Sequence, residues 1–212
     1  LIESSIKHCQ SVFDIRSLSV VEGLTLTEDF VMPEKIKAQI LDSEGINKVI
    51  ARMAHEILER YESTENLILV GIRKRGEFIA NRLVENLEKI TGQKISIGYL
   101  DVTFYRDDFR ERLIQPQVKG TEIPFSIDGK IIILADDVLY TGRTIRAAMN
   151  EIMDFGRPST ISLAVLIDRG HREMPVKADF VGKNVPTSEI EHVHVRLEET
   201  DNKDAVYMVE YS

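Results

Sequence analysis

The run Ile132-Ile133-Leu134-Ala135-Asp136-Asp137-Val138-Leu139-Tyr140-Thr141-Gly142-Arg143-Thr144 constrains this chain more than any other stretch. Its apolar start and paired carboxylates read as a buried strand that ends at a polar edge. The small-residue turn after it reads as the entry to a helix over Ile145–Phe155. A strand apolar on both sides needs cover on both faces, which a parallel sheet between helices supplies. The chemistry at its end suits a phosphorylated sugar. Carboxylates accept hydrogen bonds from vicinal hydroxyls, and the Thr141–Thr144 turn offers N–H and O–H donors to a phosphate. The helix points its positive end at the same anion, and Gly142 lets the backbone come close without a Cβ in the way. On the doublet alone other readings stay open. It also suits a Walker-B-like magnesium site, although no G-x-x-x-x-G-K-[ST] occurs in the chain, and it suits the cap of an ordinary turn.

At 212 residues the chain is long enough for one good core and too short for two large domains. No apolar run approaches the roughly 18 residues that cross a membrane. No secretory signal pattern is present either. The single cysteine, Cys9, excludes a disulfide framework and a cysteine-rich zinc site, so a cytoplasmic protein is expected. The net charge of −8 argues against bulk attraction to nucleic acid but leaves room for a local basic patch.

Residues 1–31 lack a clear period and read as a poorly ordered extension with no assigned role, and Met32-Pro33 reads as the start of one domain over 32–212. From Asp42-Ser43 an amphipathic helix is expected to about Tyr61, with Ile46, Val49, Ile50, Met53, Ile57 and Tyr61 as its apolar stripe. Leu67–Ile72 reads as a buried strand, 78–90 as a helix closed by Gly92, and 94–105 as a long strand. After the signature strand and helix, Gly156-Arg157-Pro158 marks a stop before a strand over Thr160–Ile167. Alternating strands follow near His192–Leu197 and Ala205–Val209. This order predicts an α/β, doubly wound, mostly parallel sheet, with ligands bound beyond the carboxyl ends of its strands.

Two further segments fall at strand ends. Gly71-Ile72-Arg73-Lys74-Arg75-Gly76 reads as a solvated surface turn or as an anion-binding loop built from glycine N–H groups and a cation. Tyr105-Arg106-Asp107-Asp108 opens a long polar stretch that reads as a charged loop or as a lid. Along the first helix Lys48, Arg52 and His55 share a side opposite the apolar stripe, partly neutralised by Glu56 and Glu59. That is also how an ordinary solvated helix face looks.

The thirteen-residue run resembles the signature of the type I phosphoribosyltransferases, which bind 5-phosphoribosyl 1-diphosphate (PRPP). The resemblance implies that Asp136 and Asp137 hold the ribose hydroxyls and that Thr141, Gly142, Arg143 and Thr144 hold the 5′-phosphate. It assigns PRPP binding to the whole run, Ile132, Ile133, Leu134, Ala135, Val138, Leu139 and Tyr140 included. It makes Arg75-Gly76 a diphosphate loop, whose peptide bond is cis in many relatives, and Arg106 a catalytic lid residue. It also implies a small hood, mainly from about residues 168–195, over the base. The runs D-D-V-L-Y-T-G-R-T, D-R-G-H-R-E, Y-R-D-D and G-K-N-V-P-T closely resemble the PyrR family of pyrimidine-operon attenuators with uracil phosphoribosyltransferase activity. That likeness covers about Gln39–Val209. Purine-specific relatives generally carry an acidic residue where Tyr140 stands, so Tyr140 disfavours the alternative, a hypoxanthine/guanine enzyme without an RNA-binding role.

The PyrR likeness implies PRPP, uracil, UMP and UTP as ligands and Mg²⁺ as cofactor, with no direct protein ligand assigned to the metal. It implies a homo-oligomer, at least a dimer, that binds the leader RNA of a pyrimidine operon. Arg52, His55, Arg172, Lys177 and Lys183 match basic positions for that contact, and backbone groups near Val181 or Val193 are candidates for base recognition. His171 and the His192/His194 pair read as structural or binding residues, because attack by uracil N1 needs no protein nucleophile.

Overall fold

Two sets of apolar side chains, alternating along each central strand, set the layers of this fold. In a computed structural model, which describes residues 34–102 and 120–211, strands β2 (Leu67–Ile72), β4 (Ile131–Leu139) and β5 (Thr160–Asp168) lie side by side and parallel. Strand β3 (Ser96–Leu100) flanks β2, and β6 (Phe180–Asn184) flanks β5, giving the order β3-β2-β4-β5-β6. Leu67, Leu69, Ile133, Ala135, Ala164 and Leu166 point to one side, where they pack with helices α1 (Ser43–Arg60) and α2 (Gly76–Thr91). Ile68, Val70, Ile132, Leu134, Leu163 and Val165 point to the other, against α3 (Arg143–Phe155). The period of two along each strand thus feeds two cores, as expected for a sheet covered on both faces.

The first helix has the expected bounds because its caps are local. The Asp42 side chain accepts the Gly45 N–H at 2.8 Å, and Tyr61 ends the helix in extended conformation. Gly92 closes α2 at φ 69°.

A second sheet, in the order β1-β8-β7, is antiparallel and draws on both ends of the domain. Strand β1 (Glu34–Leu41) pairs with β8 (Ala205–Tyr211), which pairs with β7 (Glu191–Arg196). Val193, Val195, Leu197 and Val206 join the core beneath α1 and α2. Between β7 and β8 a short helix, α4 (Glu198–Asp201), is tied to α2 by Arg82, which reaches Glu199 at 2.8 Å and Asp204 at 2.7 Å. The stretch 168–195 therefore divides: β6 extends the parallel sheet, whereas β7 belongs to the second one. The anticipated strand over 94–105 is shorter, 96–100 among the described residues, and β1 had no counterpart in the sequence reading. The 1–31 segment and the Tyr105–Asp108 stretch lie outside the described residues.

Candidate active site

Strand β4 delivers its two carboxylates at its carboxyl end, where the neighbouring strands also stop. Asp136 still pairs in register with Val165 of β5 and is 8% exposed. Its carboxylate accepts the Asp137 N–H at 2.9 Å, and the Asp137 carboxylate accepts the Val138 N–H at 2.9 Å. Burial pushes the Asp137 carboxyl above the usual aspartate range, against the pull of the Asp136 side chain and then the Arg75 guanidinium. The earlier part of the run is scaffold. Ile132, Ile133, Leu134 and Ala135 are fully buried and Leu139 nearly so; their side chains fill the two cores that fix the strand end carrying the carboxylates.

Beyond Leu139 the chain turns into α3 through Gly142, whose φ of 90° is the left-handed conformation that glycine adopts without strain. No side-chain hydrogen bond caps α3 at Gly142, and Arg143 lies in its first turn, so the positive dipole end of the helix lies at the Thr141–Thr144 turn and favours an anion there. The Arg143 N–H lies 3.4 Å from the Thr141 hydroxyl. A strap formed by residues 170–176 fastens this turn from above. The Thr141 carbonyl accepts the N–H groups of Glu173 and Met174, each at 3.0 Å. The Arg172 guanidinium donates to the carbonyls of Tyr140 at 2.8 Å, Gly170 at 3.0 Å and Val176 at 3.2 Å, and it pairs with Asp168. Arg169, 4% exposed, lies 3.9 Å from the Tyr140 ring centroid and donates to the Glu191 carbonyl at 2.6 Å. The His171 ring packs edge-on to Tyr140, with centroids 6.2 Å apart.

The Gly71–Gly76 turn supplies the opposite wall. A Cβ on Gly76 would lie 2.6 Å from the Ala135 carbonyl oxygen and 3.1 Å from Asp136 Cα. Glycine there allows α2 to start against the end of β4 and so brings Arg75 beside Asp137. A cis peptide is present in this turn, but at Arg73–Lys74 and not at Arg75–Gly76 as expected. Arg75 has already entered helical geometry (φ −85°, ψ −30°) as the N-cap of α2. Arg73 turns away from the cavity, donating to the Gly120 carbonyl at 2.9 Å and stacking on Tyr99. Arg75, Asp137, Val193 to Arg196 and Asp201 line a cavity of about 430 Å³ between the two sheets. The second sheet thus reaches the site through β7 and α4. Asp201 and Arg196 were missed in the sequence, because L-E-E-T-D-N-K-D reads as an ordinary charged loop.

A family model for the phosphoribosyl transferase domain matches residues 37–200. The bifunctional protein PyrR of Pelotomaculum thermopropionicum is 57% identical over 174 residues, 82% of this chain and 96% of the relative. The chain belongs to the PyrR family. The PyrR proteins of Clostridioides difficile and Bacillus cereus are 52% and 54% identical over 82% and 80% of the chain, and over 98% and 96% of their own lengths. Among solved structures, the hypoxanthine phosphoribosyltransferase of Trypanosoma cruzi aligns with a TM-score of 0.64 over 84% of this chain and 98% of its own, at 18% identity. That likeness establishes the phosphoribosyltransferase fold for this PyrR chain.

The remaining anticipated residues are distributed unevenly. Val193 lines the cavity. Val181 sits on β6, and its carbonyl accepts the Arg52 guanidinium at 3.1 Å. Arg52 also binds the Gly182 carbonyl and pairs with Glu56, with about half of its side chain exposed. His55 and Lys177 are exposed, and Lys183 reaches the Ile40 carbonyl at 3.3 Å. Arg172 holds the strap. Arg106 lies outside the described residues. Burial, then Arg169 and His194, hold His192 below the usual histidine range, so it is neutral at pH 7. His171 contacts the Thr187 carbonyl at 2.6 Å. No described helix is long and apolar enough to cross a membrane.

Proposed function

We propose that this PyrR protein transfers the phosphoribosyl group of PRPP to uracil, giving UMP and diphosphate, and that it binds the leader RNA of a pyrimidine operon in response to uridine nucleotide. The observation that carries the reading is the convergence of three features at one end of the sheet. They are the Asp136–Asp137 pair, the uncapped start of α3, and the Arg75 guanidinium. Each suits a different part of PRPP: ribose hydroxyls, 5′-phosphate and diphosphate.

In the reaction the uracil N1–C1′ bond forms as the bond from C1′ to diphosphate breaks, and the N1 proton leaves to the departing diphosphate or to solvent. Positive charge grows on the ribose while negative charge grows on the leaving group. The Asp136 and Asp137 carboxylates hold the ribose and face its developing charge; the turn at Thr141–Thr144 anchors the far end, and Arg75 sits beside the leaving group. Ligand hydroxyls that donate to Asp137 replace solvation lost on burial and favour its ionised form. The donor set at the β4 end is hard carboxylate oxygen, which fits Mg²⁺. The described residues contain no group of three or more His, Cys, Asp or Glu able to hold a metal by themselves, so substrate oxygens would complete the shell. Bound beside Asp136 and Asp137, Mg²⁺ would supply neutralisation of the diphosphate charge. Arg106 is proposed as the lid residue.

The base would lie between Tyr140, held by Arg169, and β7, where the Val193 backbone is a candidate for base recognition. Val181 is less well placed, because Arg52 occupies its carbonyl. The RNA face is proposed along α1 and the adjoining edge of β6, with Arg52, His55, Lys177 and Lys183 giving phosphate contacts and Arg172 shaping that edge through the strap. A homodimer in the cytoplasm completes the proposal, with the exposed apolar Met153 and Phe155 at the end of α3 as candidate dimer contacts. The domain is proposed to start near Met32. The test is product formation by purified protein with Mg²⁺, PRPP and a panel of uracil, hypoxanthine and guanine. UMP alone is expected; a purine nucleotide in its place would establish the alternative.

A further inference from the structure

We propose that Asp201 sets the affinity of the site for diphosphate by competing with it for Arg75, an inference that rests on the transferase reading above. Both Asp201 carboxylate oxygens accept the same Arg75 nitrogen, Nη2, at 3.0 and 3.2 Å. The carboxylate is itself prepared for this: it takes the Leu197 N–H at 3.0 Å and the Thr200 hydroxyl at 2.6 Å. Although burial would raise its pKa, these bonds and Arg75 hold Asp201 below the usual aspartate range, so it is an anion at neutral pH. Its helix is anchored independently through the bonds of Arg82 to Glu199 and Asp204. An anionic acceptor is thus fixed on the wall of the cavity that also holds Arg75, Asp137 and Arg196.

The guanidinium is not at rest there. Arg75 Nε is buried and has no hydrogen-bond partner, although a buried donor normally has one. The posture on Asp201 therefore satisfies one nitrogen at the expense of another. A diphosphate oxygen offers the same kind of charge-assisted acceptor as the carboxylate. A diphosphate oxygen that takes Nη2 must displace Asp201 from it, so the two anions compete and binding of diphosphate moves Arg75 off Asp201. Asp201, at the end of α4, then tunes the affinity of the site: it lowers affinity for the free product and assists its release.

The experiment is calorimetric titration of Mg²⁺-diphosphate into the wild type, Asp201→Asn, Arg75→Ala and the double variant, with UMP formation by the wild type measured alongside. Asparagine keeps an oxygen for the Leu197 N–H but loses the charge. Asp201→Asn is expected to bind diphosphate about three- to tenfold more tightly, and the gain is expected to vanish in the Arg75→Ala background. Unchanged or weaker binding by a folded Asp201→Asn overturns the proposal. In the wild type, the Arg75 Nε–H resonance, identified by its loss in Arg75→Lys, is expected to shift on saturation with diphosphate; a resonance that stays in place also overturns it. Absence of UMP formation by the wild type would instead defeat the underlying transferase reading.

Discussion

In the proposed site, Asp137 serves the ligand at the cost of the fold. Its carboxyl is raised above its unfolded value by burial, so the folded state binds the proton more tightly than the unfolded chain does. Its contribution to stability is fully present below the ordinary aspartate pKa, near 3.9, and is lost as pH rises through the raised value. Asp137→Asn should therefore melt above the wild type at pH 7, with the gap narrowing towards pH 4. The same variant should lower UMP formation by about 10²–10³-fold, since it removes an electrostatic partner of the transition state. A melting gap independent of pH would contradict the burial argument. Gly142 makes a second case: its φ of 90°, with Met174 Cβ 3.1 Å from where a Cβ would stand, makes alanine strained and crowded. Gly142→Ala should destabilise by about 1–2 kcal/mol in chemical denaturation and raise the KM for PRPP. Both residues stood out in the sequence because the chemistry and the special backbone occur within thirteen consecutive positions. Asp201 did not, because its meaning depends on an arginine 126 residues earlier in the chain.

Elements with local signals were legible, and those specified by distant partners were not. Helix α1 carries its own cap and apolar period, and β2 its own apolar run, so their bounds follow from the sequence. Strand β1 is mostly exposed and is defined by pairing with β8, some 170 positions away, which no local period encodes. The strands near 192–197 and 205–209 were therefore expected, but not their pairing with β1 into a second sheet. Two charge clusters join its parts. Glu191 on β7 pairs with Lys37 on β1, and the hydrogen bond from Lys37, then those from Ser188, bring the carboxyl down to about 2. Its stabilising effect is present above the unfolded glutamate value and is lost as pH falls towards 2. Glu191→Gln should therefore show a flatter acid-side melting curve between about pH 4.5 and 2; a parallel curve would contradict the pairing. Arg82, with 14% of its side chain exposed, bridges α2 to Glu199 and Asp204. Arg82→Ala should cost about 3 kcal/mol, because it leaves the mostly buried Asp204 carboxylate unpaired.

At the scale of the molecule, a chain of net charge −8 must bind RNA through a local surface. The α1–β6 edge is the surface proposed for it: Arg52 bonds to β6 carbonyls while half its side chain stays exposed, and Lys183 follows on the same strand. Strand β6 is hydrogen-bonded to β5 and β5 to β4, so the edge and the nucleotide pocket belong to one continuous sheet. Lys183→Gln should weaken RNA binding and reduce its salt slope by about one unit, while UMP formation is unchanged. The measurement that bears most directly on the account is the affinity for a pyrimidine-operon leader RNA, with and without UMP, of the wild type and Asp137→Asn. One pocket serving both activities predicts that UMP tightens binding by the wild type and has no effect on the variant. RNA binding that is absent, or indifferent to UMP in a wild type that forms UMP, would contradict it.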